Sequence, residues 1–154
     1  LYHESYLNKA ISNEKIEKLA NQFSKLVVKK VIYSPYVPGV FKYIQKCYKK
    51  YNLFISTGTP TEEMKQILKG REIDQYFIDV FGSPEKKTAH LKHILSKYDL
   101  NPDELIFYGD SNSDLNASKN VRIPFILIKN KFNQSLSKTY SGKIINNYKR
   151  QSWS

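Results

Sequence analysis

Apolar residues recur along this chain in two rhythms, one helical and one of strand character, and the two alternate. After Ser12, a candidate N-cap, Ile16, Leu19, Ala20, Phe23, Leu26, Val27 and Val31 follow the spacing of a helix face. Ser34-Pro35-Tyr36-Val37-Pro38-Gly39 ends that run, because two prolines and a glycine cannot continue a helix. The break reads as a hinge. Pro38 suits the first turn of the next helix, whose apolar face is Val40, Phe41, Ile44, Cys47 and Tyr48. Leu53-Phe54-Ile55-Ser56 is then a short buried strand.

The same alternation continues. Thr59 and Glu62 form a capping-box pattern with Pro60 at the first helical position, and the helix runs through Met64, Ile67 and Leu68 to Gly70, a natural C′ residue. Residues 73–77 read as a helical turn and residues 79–82 as a strand. Ser83-Pro84 opens a helix with Leu91, Ile94, Leu95 and Tyr98 on one face, and Lys86 and Lys87 in its first turn. Asn101-Pro102 restarts the chain into the apolar block 105–108. A helix over 112–120 follows, with Leu115 and Ala117 apolar, and then the strand Phe125-Ile126-Leu127-Ile128. The tail from Lys129 is polar, with Ile144-Ile145 as one weak strand or turn. Strand and helix in this order predict an α/β fold with a doubly wound parallel sheet.

Size and composition narrow the class. A chain of 154 residues with 40% hydrophobic and 14% aromatic content is enough for one folded domain with a real core. No run of eighteen apolar residues occurs, so the sequence predicts no membrane span. A lone cysteine, Cys47, excludes an internal disulfide framework and fits a reducing, cytoplasmic setting, where it reads as a buried inert thiol. The formal charge of +11 raises nucleic-acid binding as a possibility. The lysines are dispersed along the chain rather than gathered on one helix face, which disfavours that reading. A basic surface does suit an anionic substrate such as a phosphate ester.

Three places carry candidate chemistry, and all fall at the carboxyl ends of strands, where open α/β sheets bind ligands. Tyr108-Gly109-Asp110-Ser111-Asn112-Ser113-Asp114 puts a carboxylate at a strand end and a second one four residues on. Mg²⁺ takes one or two such carboxylates together with phosphate oxygens and water. Capping of the next helix by Asp110 or Ser111 explains the Gly-Asp pair equally well by itself. Thr57, beside Gly58, faces the N-terminus of a new helix, where free N–H groups and the dipole favour an anion. Lys86 or Lys87 at a helix start opposes the dipole, so it is either a solvated charge or one with an anionic partner.

In this order, these segments resemble the haloacid dehalogenase (HAD) superfamily. The resembling branch is that of phosphoglycolate phosphatase and β-phosphoglucomutase. The resemblance covers about residues 12–128. Ile55-Ser56-Thr57-Gly58-Thr59-Pro60 is similar to the family's second motif, Gly82-Ser83-Pro84-Glu85-Lys86-Lys87 to the third, and Tyr108 to Asp114 to the fourth. Tyr36-Val37-Pro38-Gly39-Val40 is similar to the return from cap to core. The resemblance implies a HAD Rossmann-like core over 35–154, with 1–34 as the last part of a helical cap. It also implies roles: Thr57 and the Gly58 N–H hold a phosphate oxygen, and Lys87, rather than Lys86, neutralises the phosphate and orients the nucleophile. Asp110 binds Mg²⁺, and Asp114 supports the metal through water or by anchoring the lysine. The implied function is Mg²⁺-dependent hydrolysis of a small phosphorylated metabolite through an aspartyl-phosphate.

The family's first motif, Asp-x-Asp on the first strand, supplies the nucleophile, and this sequence has no Asp before Asp74. The resemblance places that strand between those ending at Thr57 and Asp110; without it they would face each other across about 10 Å, twice the usual spacing. The expectation is therefore the carboxyl-terminal part of a larger phosphatase, inactive as it stands. A phosphosugar mutase on the same scaffold and an inactive HAD-fold binding module remain alternatives. Dehalogenase chemistry has no need of the metal carboxylates.

Overall fold

The computed structural model describes residues 12–149. The first eleven residues of the expected cap region, His3 and Glu4 among them, lie outside the described residues, as does the tail after Lys149. The first helix, α1 (Asn13–Ile32), is capped by Ser12 as the sequence predicts, with Ser12 Oγ accepting from Lys15 N at 3.3 Å. Its apolar stripe is mostly uncovered. Phe23 is 70% and Leu26 68% exposed, and only Val28 is buried. Apart from the buried Val28 and the packing of Ile32 on Gly70, polar bonds tie the helix to the body: Ser24 donates to Glu63 at 2.7 Å, and the Arg71 guanidinium donates to the carbonyls of Val31, Ile32 and Ser34.

The hinge at 34–39 is a turn, and Gly39 at φ +84° precedes α2 (Val40–Cys47). Pro38 lies before the helix rather than in its first turn. β1 (Phe54–Pro60) is longer than the apolar block suggested and carries through Thr57-Gly58-Thr59. The helix after it, α3 (Thr61–Gly70), consequently starts one residue later than a Thr59 cap requires, and no side chain caps it. Gly70 is not a C′ residue either. It is the last helical residue, where a side chain would strike Ile32 of α1, and the left-handed position is Glu72 at φ +57°. Packing between helices set that glycine, not termination.

β2 (Asp79–Ser83), α4 (Lys87–Lys97), β3 (Phe107–Gly109), α5 (Asn112–Val121) and β4 (Phe125–Ile128) follow as the pattern predicts. Ser83-Pro84, a cis peptide, precedes rather than opens α4, leaving Lys86 at its N-cap and Lys87 as its first residue. The polar tail adds α6 (Gln134–Thr139) and β5 (Ile144–Ile145). α6 went unread because Leu136 is its one apolar anchor.

All strand pairings are parallel, and they form two sheets, β1-β2 and β3-β4-β5. Two core clusters pack against the larger sheet, and Phe107 touches both. Leu91, Ala117 and Ile123 pack against Leu105 and Phe107, while Leu115, Phe125 and Leu127 pack against Leu136, Tyr140 and Ile144. Cys47 is buried, as its helical setting predicts. Among the described residues β1 and β3 share no ladder. Between them runs a largely apolar cavity of about 450 Å³, walled by β1 at Phe54–Ser56, by residues 105–108, by Ile44 and Cys47 of α2, and by Leu91 and Ile94 of α4. No described helix is long and apolar enough to cross a membrane.

Candidate active site

The turn after β3 is a closed network. Ser111 is the N-cap of α5 and Asp114 its third residue, and each side chain accepts from the other's backbone in a capping box. Asp114 Oδ2 accepts from the amides of Asp110 (3.1 Å) and Ser111 (3.0 Å) and from the Ser111 hydroxyl (2.6 Å). Its other oxygen takes Lys87 Nζ at 2.5 Å. Both oxygens of this buried carboxylate are therefore engaged within the chain. The Asp114 side chain lies so close over Gly109 that a Cβ there would overlap it. The glycine at this strand end makes room for a side chain of its own chain.

Asp110 differs from Asp114 in every respect. It is exposed, with Oδ2 accepting from Asn130 Nδ2 at 2.9 Å and its backbone carbonyl accepting from Asn133 Nδ2 at 2.8 Å. Oδ1 carries no hydrogen bond among the described residues. Asn133 also donates to the Ile128 carbonyl at 2.8 Å, so the loop after β4 braces the Asp110 turn. Sequence reasoning missed Asn130 and Asn133. The signal was available, since they follow the end of the last long strand and so occupy the same edge as the residues that were picked.

Lys87, the first residue of α4, turns inward to Asp114, while Lys86 is exposed. Thr57 lies midway along β1. No hydrogen bond joins it to Lys87 or Asp110 among the described residues. Its hydroxyl accepts from the Thr59 amide at 3.1 Å, which leaves the hydroxyl proton to donate elsewhere. Nothing lies within 4 Å of the position a Gly58 side chain would take. The link between this corner and Lys87 is His90, one turn further along α4. The ring is fully buried, with Nδ1 2.9 Å from Ser56 Oγ and Nε2 3.1 Å from the Gly82 carbonyl. Burial holds its pKa below the ordinary histidine value, with nearby Lys87 adding to that; the Gly82 bond and Glu85 act in the opposite sense. Neither Ser56 nor His90 stood out in the sequence.

Where the cavity meets this edge, three tyrosines gather. The Tyr43 and Tyr108 hydroxyls are 2.7 Å apart, and the Tyr148 ring packs on both. Burial, then the charges of Tyr108 and Asp110, raise the Tyr148 hydroxyl far above the ordinary tyrosine value, so it stays protonated and can donate.

Among the described residues no three His, Cys, Asp or Glu side chains converge on one metal position. The donor set is a single carboxylate, Asp110, with an oxygen to spare. That does not fit a metal enclosed by protein ligands. It does fit Mg²⁺, which is commonly held by one or two carboxylates with the remaining positions filled by water and substrate phosphate.

The sequence model of the family described as haloacid dehalogenase-like hydrolase matches residues 2–128. The chain belongs to that family. Within that family, the chain is similar in sequence to phosphoglycolate phosphatases. It is 33% identical over 75 residues to a phosphoglycolate phosphatase of Vibrio vulnificus, a match covering 46% of this chain and 33% of that one. The chain thus spans about a third of that relative's length. Among solved structures, a haloacid dehalogenase-like family protein of Streptococcus pneumoniae superposes with a TM-score of 0.71 at 22% identity, covering 92% of this chain and 70% of that one. YfnB of Bacillus subtilis, in a structure bound to magnesium, gives a TM-score of 0.71 at 14% identity over 85% of this chain and 58% of its own. At such identities the structures establish the fold.

Proposed function

We propose that this chain is the phosphate- and metal-binding part of a Mg²⁺-dependent phosphatase acting on a small phosphomonoester. The observation that supports the reading is a chain of contacts: Asp114 anchors Lys87 and braces the Asp110 turn, and His90, one helical turn on from Lys87, bonds Ser56 next to the open Thr57-Gly58 segment. Phosphoryl transfer is mostly positioning plus stabilisation of spread negative charge, and these groups supply that. Thr57 donates its hydroxyl proton and Gly58 its amide to the phosphoryl oxygens. Lys87 keeps its ammonium beside the phosphate, its position fixed by the Asp114 carboxylate. Asp110 offers Oδ1 to the metal while Asn130 and Asn133 fix its turn. A magnesium ion held at Asp110 would supply charge neutralisation for the phosphate.

The nucleophile belongs, in this reading, to an aspartate on a strand seated between β1 and β3. The cavity there supports this, since it is walled by Phe54–Ser56 of β1 on one side and by residues 105–108 on the other. The core over 35–154 is complete only with that strand, and α1 is the end of the cap. Relatives that are phosphoglycolate phosphatases support a small anionic substrate. The competing reading is an inactive binding module on the same fold.

The deciding assay is phosphate release from p-nitrophenyl phosphate by the full-length protein. Release that stops with EDTA and returns with Mg²⁺ is expected. Turnover that persists in EDTA contradicts the metal role, and no turnover from a protein holding the strand favours the inactive module.

A further inference from the structure

Between Ser56 and Pro60 the pairing of β1 with β2 slips. Ser56 faces Phe81, and Pro60 faces Ser83, so four steps along one strand match two along the other. Thr57, Gly58 and Thr59 therefore bow out of the ladder, as the extra residues of a bulge do. Gly82 is the one β2 residue opposite the bow, and both its backbone groups are taken by side chains. Its N–H donates to Thr61 Oγ1 at 3.0 Å, and its carbonyl meets His90 Nε2 at 3.1 Å. A side chain at position 82 would collide with the Thr59 carbonyl and the Thr61 amide, so the bow rests directly on this glycine.

The chemistry of His90 is fixed by its partners. A carbonyl only accepts, so Nε2 carries the ring proton and donates to Gly82. In the neutral ring Nδ1 is then an acceptor, and the Ser56 hydroxyl donates to it. One side chain thus binds the residue just before the bow and the residue beneath it. It does so from the helix turn that begins at Lys87.

We propose that His90 is a positioning residue: its Nε2–H bond to the Gly82 carbonyl shapes the Thr57–Thr59 turn, and through that shape sets how tightly the turn holds a phosphoryl group. The inference rests on the reading of Thr57 and Gly58 as phosphate contacts. A buried histidine serving only stability would leave phosphate affinity unchanged below the unfolding temperature. A positioning histidine would not.

Two near-isosteric substitutions in the full-length protein separate these roles. His90→Gln keeps an amide donor near the Nε2 position and so keeps the Gly82 bond. His90→Asn reaches only the Nδ1 position, keeps the Ser56 partner and releases Gly82. The readouts are the backbone amide resonances of residues 57–59, the dissociation constant for inorganic phosphate with Mg²⁺ present, and the thermal midpoint. The expected result is that His90→Asn moves those resonances and weakens phosphate binding about tenfold, the worth of one hydrogen bond. His90→Gln should stay near the unmodified protein in both, even where the two variants lose similar thermal stability. Equal phosphate affinity and unmoved resonances in both variants would overturn the proposal, as would losses that track the thermal midpoint alone. If the unmodified protein binds no phosphate while only His90→Asn moves the turn, the phosphate reading fails and the role of His90 in shaping the turn stands. Should His90→Asn not fold, the ring ¹⁵N shifts of the unmodified protein decide: a protonated Nε2 supports the bond to Gly82, and a protonated Nδ1 overturns it.

Discussion

The turn after β3 and the bow within β1 are linked through Lys87 and His90 of α4, yet one is closed by its own side chains and the other stands open. At the first, Asp114 bonds to Asp110, Ser111 and Lys87, and Gly109 exists to admit it. At the second, Gly58 has empty space around it, and the shape is held by Thr61 and His90, which act on the neighbouring strand. A closed corner holds charges in place; an open one leaves room for a ligand. The difference implies that the acidic corner contributes to stability and the threonine corner to binding, with Asp110 as the exception on the acidic side.

That exception gives the largest expected effect. Asp110 is exposed and its carboxylate has one hydrogen bond, to Asn130, so Asp110→Asn should leave the thermal midpoint nearly unchanged. Metal-dependent phosphate release by the full-length protein should fall by on the order of a thousandfold, the loss of several kcal/mol of metal-borne stabilisation. Lys87→Met comes next and tests the closed network from its other side. It strands the buried Asp114 carboxylate without its cation, which should cost about 3 kcal/mol in urea unfolding. A cost near zero would mean that the Lys87–Asp114 pair is not what holds this corner together.

Paired glycine substitutions sharpen the comparison further. Gly109→Ala forces a methyl into the Asp114 side chain and should cost about 1–3 kcal/mol. Gly58→Ala meets nothing within 4 Å and should change stability by no more than about 0.5 kcal/mol, while lowering phosphate affinity if the turn binds it. The smallest effect is a pH dependence carried by the threonine corner alone. The folded pKa of His90 lies below the unfolded value of about 6.5, chiefly because the ring is buried. Its contribution is therefore complete above that pH and is lost as pH falls toward the folded value, because the unfolded chain takes the proton first. Thermal melts from pH 8 to 5 should show this acid slope reduced in His90→Gln.

The same contrast explains what could be read from sequence. The Asp110–Asp114 turn was legible because its internal bonds are local, Ser111 and Asp114 being three residues apart in a capping box after a strand ending in Gly-Asp; the bonds from Asn130 and Asn133, 20 and 23 residues from Asp110, were not. The threonine corner was only half legible. Thr57 and Gly58 stood out, but the Thr59 cap did not form, because β1 continues through it to Pro60, and the bond from Gly82 to Thr61, 21 residues apart, has no local signal. Ser56 and His90 are 34 residues apart, and no spacing rule connects them. Gly70 misled for a related reason, since Ile32 on a distant helix demands it. The parallel α/β order was readable throughout, being written in alternating apolar rhythms. The bow in β1 was not, since strand register depends on both partners at once.

The central claim is that Thr57, Lys87 and Asp110 hold one metal-bound phosphoryl group between the two corners. Crystals of the full-length protein grown with Mg²⁺ and tungstate, a phosphate mimic visible by anomalous scattering, test it most directly. The account predicts one tungstate within hydrogen-bond distance of Thr57 Oγ1, the Gly58 amide and Lys87 Nζ, with magnesium on Asp110. Tungstate bound away from Thr57 and Lys87, or a metal that avoids Asp110, would contradict it.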